Sequence, residues 1–140
     1  MEDTIFHKIL RKEFPAGAGL IYEDDYTYAF LDIHPNHPGH TLVIPKEASR
    51  TILDISEASW LAVMKTVRKL SPVIMKAVGA EGINIHMNNE PGGHQAVFYT
   101  HVHIIPRYLE DGFPTFPAGK YAEGKETIIA EKIRKALSAT

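Results

Sequence analysis

The stretch Thr100-His101-Val102-His103-Ile104-Ile105-Pro106-Arg107 decides how the rest of the chain is read. Two histidines stand one residue apart in an apolar run, and side chains along a strand point alternately to opposite faces. A strand over Val97 to Pro106 puts Tyr99, His101 and His103 on one face, with neighbours about 7 Å apart. Such a row suits one phosphate. Neutral imidazole is a nucleophile and a base near pH 7, and imidazolium is a cation that donates to oxyanions, because the unperturbed pKa is about 6.5. Two other readings stand beside catalysis: histidines on an ordinary solvated strand face, and half of a metal site completed by one or two of His7, His34, His37, His40, His86 or His94.

Immediately upstream, Gly92-Gly93-His94-Gln95-Ala96 reads as a flexible loop whose backbone N–H groups can approach phosphate oxygens, since glycine lacks an obstructing Cβ. Before it, Gly82 to Asn88 alternates Ile83, Ile85 and Met87 with Asn84, His86 and Asn88, the pattern of a half-buried strand. From Ser56 to Val78 the period becomes helical. Leu61, Met64, Val67, Leu70, Ile74 and Val78 trace one stripe, Ser56 is the candidate cap, Gly79 the stop, and Pro72 is expected to bend the helix. The stripe fits a face packed on a sheet and is compatible with a dimer seam.

Further upstream, Leu20 to Glu23 and Tyr26 to Leu31 flank the turn-prone pair Asp24-Asp25 and predict a hairpin. The segment Asp32 to Gly39 is too rich in Pro and Gly for regular structure and leads into a buried strand over Thr41 to Ile44. A short first helix, capped by Asp3 or Thr4 and carrying Ile5, Phe6, Ile9 and Leu10, is expected to stop at Pro15 and Gly17. Tyr108 to Gly119 is a loop, and Ile128, Ile129, Ile133 and Leu137 suggest a last helix. The sum is an α+β domain: a mostly antiparallel sheet of about five strands, one long helix and shorter terminal helices.

A chain of 140 residues is most simply one domain. It has no cysteine, which removes disulfides, thiolate zinc sites and thiol catalysis and fits a reducing compartment. A formal net charge of −2, with Lys and Arg dispersed, leaves no basic stripe for a nucleic-acid backbone. No apolar run reaches the roughly 18 residues of a membrane span, and Glu2 and Asp3 stand where a signal peptide carries positive charge. The expectation is a cytoplasmic protein with no nucleic-acid or membrane partner.

Taken in order, Thr4-Ile5-Phe6-His7-Lys8-Ile9, Ala29-Phe30-Leu31-Asp32-Ile33, Gly39-His40-Thr41-Leu42-Val43-Ile44-Pro45-Lys46, Asn88, Gly93-His94-Gln95-Ala96-Val97 and His101-Val102-His103-Ile104-Ile105-Pro106-Arg107 resemble the histidine-triad (HIT) family, nearest its Hint branch. These blocks span about the first 110 residues, leaving 108–140 as a C-terminal loop and helix extension of one HIT-like domain, 1–140. The resemblance implies a purine nucleotide conjugate as substrate, cleaved at its α-phosphate through a nucleotidyl-histidine on the middle histidine, His101. It implies that His103 neutralises phosphoryl oxygens, that Gln95 positions the phosphate with loop N–H groups, and that Asp32 accepts the ribose hydroxyls. Asn88 is placed near the phosphate, and Ile5, Phe6, Phe30 and Ile33 wall the base pocket. No cofactor or catalytic metal is required, and a homodimer is expected.

Three departures from the family pattern bear on rate and leaving group: Tyr99 stands at the first triad position, His94 where glycine is common, and Ala96 where relatives carry serine. The structural zinc of many bacterial relatives is expected to be absent, because its positions read Thr4, His7, Ala48 and Tyr99.

Overall fold

The computed structural model of the chain describes residues 1–13 and 19–140, so the expected helix stop at Pro15 and Gly17 lies outside the described residues. Helix α1 (Ile5–Leu10) precedes a hairpin of β1 (Leu20–Glu23) and β2 (Thr27–Leu31). Asp24 makes that hairpin: its Oδ1 accepts the Tyr26 and Thr27 N–H groups at 2.8 and 2.7 Å, the local side-chain turn that Asp favours. Then follow β3 (Thr41–Pro45), α2 (Glu57–Val78), β4 (Gly82–His86), a 3₁₀ turn at Pro91–Gly93, β5 (Val102–Arg107) and α3 (Lys125–Ser138). The strands form one five-stranded sheet in the order β1-β2-β3-β5-β4, each neighbour antiparallel. This is a single α+β domain.

The ends of α2 follow the sequence. Ser56 Oγ accepts the Ser59 N–H at 3.2 Å, and Gly79 closes the helix in the left-handed region at φ +66°. Val63, Val67, Leu70 and Ile74 are buried against Ala29, Val43, Val102 and Ile104, the core on one face of the sheet. Leu61 is exposed; Trp60 packs against the same core part-buried, and Val63 is the first fully buried apolar residue of the helix. On the other face α1 lays Phe6 over Tyr28, Phe30, Leu42, Ile44 and Tyr99. Covered on both sides, β3 is apolar at almost every position, as its sequence requires.

Strand β5 starts at Val102, later than the run Val97 to Pro106 suggests. A tight turn closes Tyr99 N–H onto the Val97 carbonyl at 2.9 Å, and the Thr100 N–H goes to the Ser49 carbonyl at 2.8 Å, outside the ladder. His101 therefore sits at the mouth of the strand. Helix α3 contributes no buried residue and presents Ile128, Ile129, Ile133 and Leu137 to solvent. No helix among the described residues is long and apolar enough to cross a membrane.

Candidate active site

His101 stands at the start of β5, buried beneath the edge of Phe6, whose ring centroid lies 5.0 Å from its own. Its Nδ1–H donates to the Tyr99 carbonyl at 2.6 Å. A carbonyl can only accept, so in the neutral ring the lone pair resides on Nε2. Burial pushes the His101 pKa below its ordinary value, against the pull of that carbonyl and of Asp32, and keeps the lone pair available near neutral pH.

His103, two residues on, has the opposite polarity. The Asn36 N–H donates to His40 Nδ1 at 3.1 Å, which puts the His40 proton on Nε2. That Nε2–H faces His103 Nδ1 at 2.9 Å, so His103 accepts there and carries its own proton on Nε2. His103 Nε2 is buried and has no hydrogen-bond partner. Leaving a buried donor unmatched costs about 1–3 kcal/mol, and an orphan of this kind calls for a reason. With the His101 and His103 rings 5.0 Å apart, one cleft holds a lone pair beside an unmatched N–H. Burial and the neighbouring imidazoles of His101, His86 and His40 hold His103 at a pKa of about 3, so its neutral form is the resting one.

His40 and Asp32 frame the same corner. Asp32 Oδ2 lies 3.6 Å from His40 Nε2, and the Asp32 N–H bonds the His40 carbonyl at 2.9 Å. Gly39 makes the approach possible: it adopts φ +96°, and a Cβ there would stand 2.9 Å from Val78 Cγ1 and 3.3 Å from Pro106. His86, paired with His103 across β4 and β5, lays its ring 4.5 Å from that of His103. Sequence reading gave neither His40 nor His86 a part in the site beyond metal ligation. For His86 the parity of the strand was the available signal; for His40 it was its place immediately before the buried strand Thr41 to Ile44.

Other expected site residues are placed differently. Tyr99 has no exposed surface, its hydroxyl donates to the Pro45 carbonyl at 2.6 Å, and burial pushes its pKa up to about 12. It supports Phe6 from below and offers no phenol to a ligand. Gln95 is buried with its amide fully engaged: Oε1 accepts the Glu90 N–H at 2.8 Å, and Nε2 donates to the Arg50 and Val97 carbonyls at 2.8 and 3.0 Å. It shapes the loop with whose N–H groups it was expected to position the phosphate. The glycine loop is also no open cradle. Gly93, His94 and Gln95 turn their N–H groups back onto the Glu90 and Pro91 carbonyls, with His94 in the left-handed region at φ +62°. Ala96 is exposed beside it, and Asn88 Nδ2 faces the His94 carbonyl at 3.5 Å. Phe6 and Phe30 are buried as an edge-to-face pair 5.5 Å apart, whereas Ile5 and Ile33 are exposed.

Asp32, His40 and His103 bring one donor atom each within 4.8 Å of one another, a set that could hold a divalent ion only by breaking the His40–His103 hydrogen bond. At the positions where the resemblance would place zinc ligands, His7 Nδ1 accepts the Thr4 N–H at 3.0 Å and the Tyr99 hydroxyl donates to the Pro45 carbonyl.

A family model described as the HIT domain matches residues 13–110. The chain belongs to the HIT family. It is 44% identical over 115 residues to an uncharacterized HIT-like protein of Borreliella burgdorferi, covering 81% of each chain. It is 36% identical over 118 residues to the adenosine 5'-monophosphoramidase hnt1 of Schizosaccharomyces pombe, covering 81% of this chain and 84% of that one. Among solved structures, the protein SMU.412c of Streptococcus mutans superposes with a TM-score of 0.90 at 36% identity over 98% of this HIT protein and 87% of its own chain. The five-stranded sheet and long helix are those of HIT structures.

Proposed function

We propose that this HIT protein hydrolyses a purine nucleotide conjugate at the α-phosphate: a nucleoside phosphoramidate, an aminoacyl-adenylate or a dinucleoside polyphosphate. The observation that carries the reading is the paired polarity of His101 and His103, a lone pair on one Nε2 and an unmatched buried N–H on the other. The similarity to an adenosine 5'-monophosphoramidase supports the substrate class.

His101 Nε2 forms a bond to phosphorus as the bond to the leaving group breaks, and the leaving group departs with the electron pair and takes a proton from solvent. His103 Nε2–H donates to a phosphoryl oxygen, charge stabilisation set up before the reaction begins. The Tyr99 carbonyl, bonded to Nδ1–H, offsets the positive charge that grows on the His101 ring. Water then bonds to phosphorus, the P–N bond to His101 breaks, and the nucleoside monophosphate leaves. The water replaces the proton carried off by the leaving group. Asp32 accepts the ribose hydroxyls, Ile5 and Ile33 clasp the base at the mouth of the cleft with Phe6 and Phe30 beneath, and Asn88 and Ala96 border the phosphate.

Incubating the protein with an adenosine phosphoramidate tests this. His101→Ala is expected to keep the fold and AMP binding while turnover falls at least about 100-fold, and mass spectrometry of the wild type trapped in acid should show a nucleotidyl adduct on His101. Undiminished turnover in the variant removes His101 from the role. AMP binding without turnover in the wild type favours the second reading, a nucleotide-binding protein, for which the engaged side chains of Gln95 and Tyr99 speak.

We also propose a homodimer. Leu61 and Val73 on α2 and Ile85 on the edge strand β4 are exposed, and an unpaired strand edge is a template for a second chain. Sedimentation equilibrium is expected to give twice the 15.6 kDa chain mass, and a monomer at micromolar concentration rejects it.

A further inference from the structure

We propose that Ser49 is a positioning residue for His101: joined to Thr100 at two points, it sets the direction of the Tyr99 carbonyl and so the ring nitrogen of His101 that is left free for phosphorus. The inference rests on the hydrolytic reading above and adds the device that aims its nucleophile.

The ladder between β3 and β5 stops at Val43 opposite Val102, so the residues immediately before His101 are not held by the sheet. The segment that follows β3 takes the ladder's place. There the Asp54 carboxylate accepts the Arg50 and Thr51 N–H groups, at 3.0 and 2.7 Å, and closes a turn on its own side chain. That turn presents two successive carbonyls to the stretch before β5. The carbonyl of Arg50 accepts Gln95 Nε2 at 2.8 Å, and the carbonyl of Ser49 accepts the Thr100 N–H at 2.8 Å.

The second of these bonds reaches the nucleophile. The Tyr99 C=O and the Thr100 N–H are the two polar edges of one planar peptide group and point in opposite directions. With the N–H on Ser49, the C=O is turned to the other side, where it meets His101 Nδ1 at 2.6 Å. One hydrogen bond alone fixes a line, and a swing about that line carries the parallel C=O bond sideways off the imidazole. Ser49 supplies a second point, since its hydroxyl donates to Thr100 Oγ1 at 2.8 Å. Both residues are buried, out of reach of solvent that could exchange with either bond. An apolar pair of the same shape fills such a space at little cost, so packing does not call for two hydroxyls. What the hydroxyls add is direction, which a hydrogen bond has and a packing contact lacks.

The test reads the ring directly. NMR of isotope-labelled imidazole nitrogens separates a bare ring nitrogen from one bearing hydrogen, and the His101 signals are those missing from His101→Ala. In the wild type near neutral pH, His101 is expected as a single tautomer with hydrogen on Nδ1. Thr100→Val, which keeps the side-chain shape and removes the hydroxyl, should show both tautomers, and kcat on an adenosine phosphoramidate should fall about tenfold with KM changed by less than about twofold. Thr100→Ser keeps the hydroxyl and should restore the single tautomer and the wild-type kcat. Ser49→Ala removes one atom from the other side of the pair; it should reproduce the Thr100→Val result, and it decides the question if that variant does not fold. A single Nδ1–H tautomer in the hydroxyl-free variants overturns the role of Ser49 whatever their rates, and so does a fall in kcat that Thr100→Ser shares. Wild-type protein that binds the conjugate without cleaving it overturns the hydrolytic reading alone, because the tautomer is read without turnover.

Discussion

Because the Tyr99 carbonyl holds the Nδ1 proton of His101, the backbone and not the solvent chooses which nitrogen of that ring is free. The same residue anchors the ring from below: the Tyr99 hydroxyl donates to the Pro45 carbonyl at 2.6 Å, and Phe6 stands edge-on to both Tyr99 and His101. Replacing that phenol by a benzyl ring strands the Pro45 carbonyl in a dry interior. Tyr99→Phe is therefore expected to lower stability by about 1–3 kcal/mol in urea unfolding, with little change in turnover, because the carbonyl that orients His101 is untouched. Tyr99→His, which puts an imidazole at the position the resemblance implies is the first of the triad, should carry a similar stability loss, since imidazole is shorter than phenol and cannot reach Pro45. Its rate should change modestly. A gain of several orders of magnitude would mean that an imidazole at position 99 works on the substrate directly.

At the scale of elements, the loop between β2 and β3 decides whether His103 is correctly paired. The Asp32 N–H bonds the His40 carbonyl at 2.9 Å and the His40 N–H bonds the His37 carbonyl at 3.0 Å, so the loop closes on itself and aims His40 at His103. Gly39 permits this with φ +96° and no side chain against Val78. Gly39→Ala forces both an unfavourable backbone and a 2.9 Å approach, at a cost of about 1–3 kcal/mol or a displaced loop. The expected outcome is a lower Tm together with reduced turnover, since a shifted His40 no longer fixes the tautomer of His103. An unchanged Tm and rate would show that the loop tolerates the shift. Elements whose ends are set by neighbours in sequence were legible beforehand. Ser56 and Gly79 delimit α2, Asp24 turns the hairpin, and the alternation of Ile83 and Ile85 with Asn84 and His86 marks a strand, which stops at His86, short of the expected Asn88. The loop before β5 was not. Gly92-Gly93 suggested exposed N–H groups, but the 3₁₀ turn consumes those of Gly93 and His94, and Gln95 is bound to Arg50, 45 residues away, a partner no local pattern discloses. The histidines at 101 and 103 were legible as a pair, whereas the opposite polarity of their rings depends on Asn36 and His40, which only the fold brings near.

Across the whole molecule the sheet divides its two faces, one packed on α2 as the core and the other carrying four imidazoles held neutral by burial: His40, His86, His101 and His103. In the unfolded chain each titrates near its ordinary pKa of about 6.5, and in the folded protein each titrates lower. Between the two values the unfolded state binds more protons, so stability rises with pH there and falls on acidification. The contribution is complete above about pH 6.5 and is lost as pH drops below it, continuing for His103 down to about 3. Each imidazole kept neutral should cost about 1.4 kcal/mol per pH unit within its window. Urea unfolding between pH 4 and pH 7.5 is thus expected to show midpoints that decline steadily below pH 6.5. His103→Gln, which removes the group with the largest displacement, should make that decline shallower by about 1.4 kcal/mol per pH unit. Carboxylates do not mimic this effect in the upper part of the range, because Asp24, Asp54 and Asp111 are all held below 3.8. A wild-type profile flat from pH 7.5 to pH 5 would mean that these rings take up protons without resistance, and the neutral, opposed pair of His101 and His103 on which the proposed chemistry stands would be lost with it.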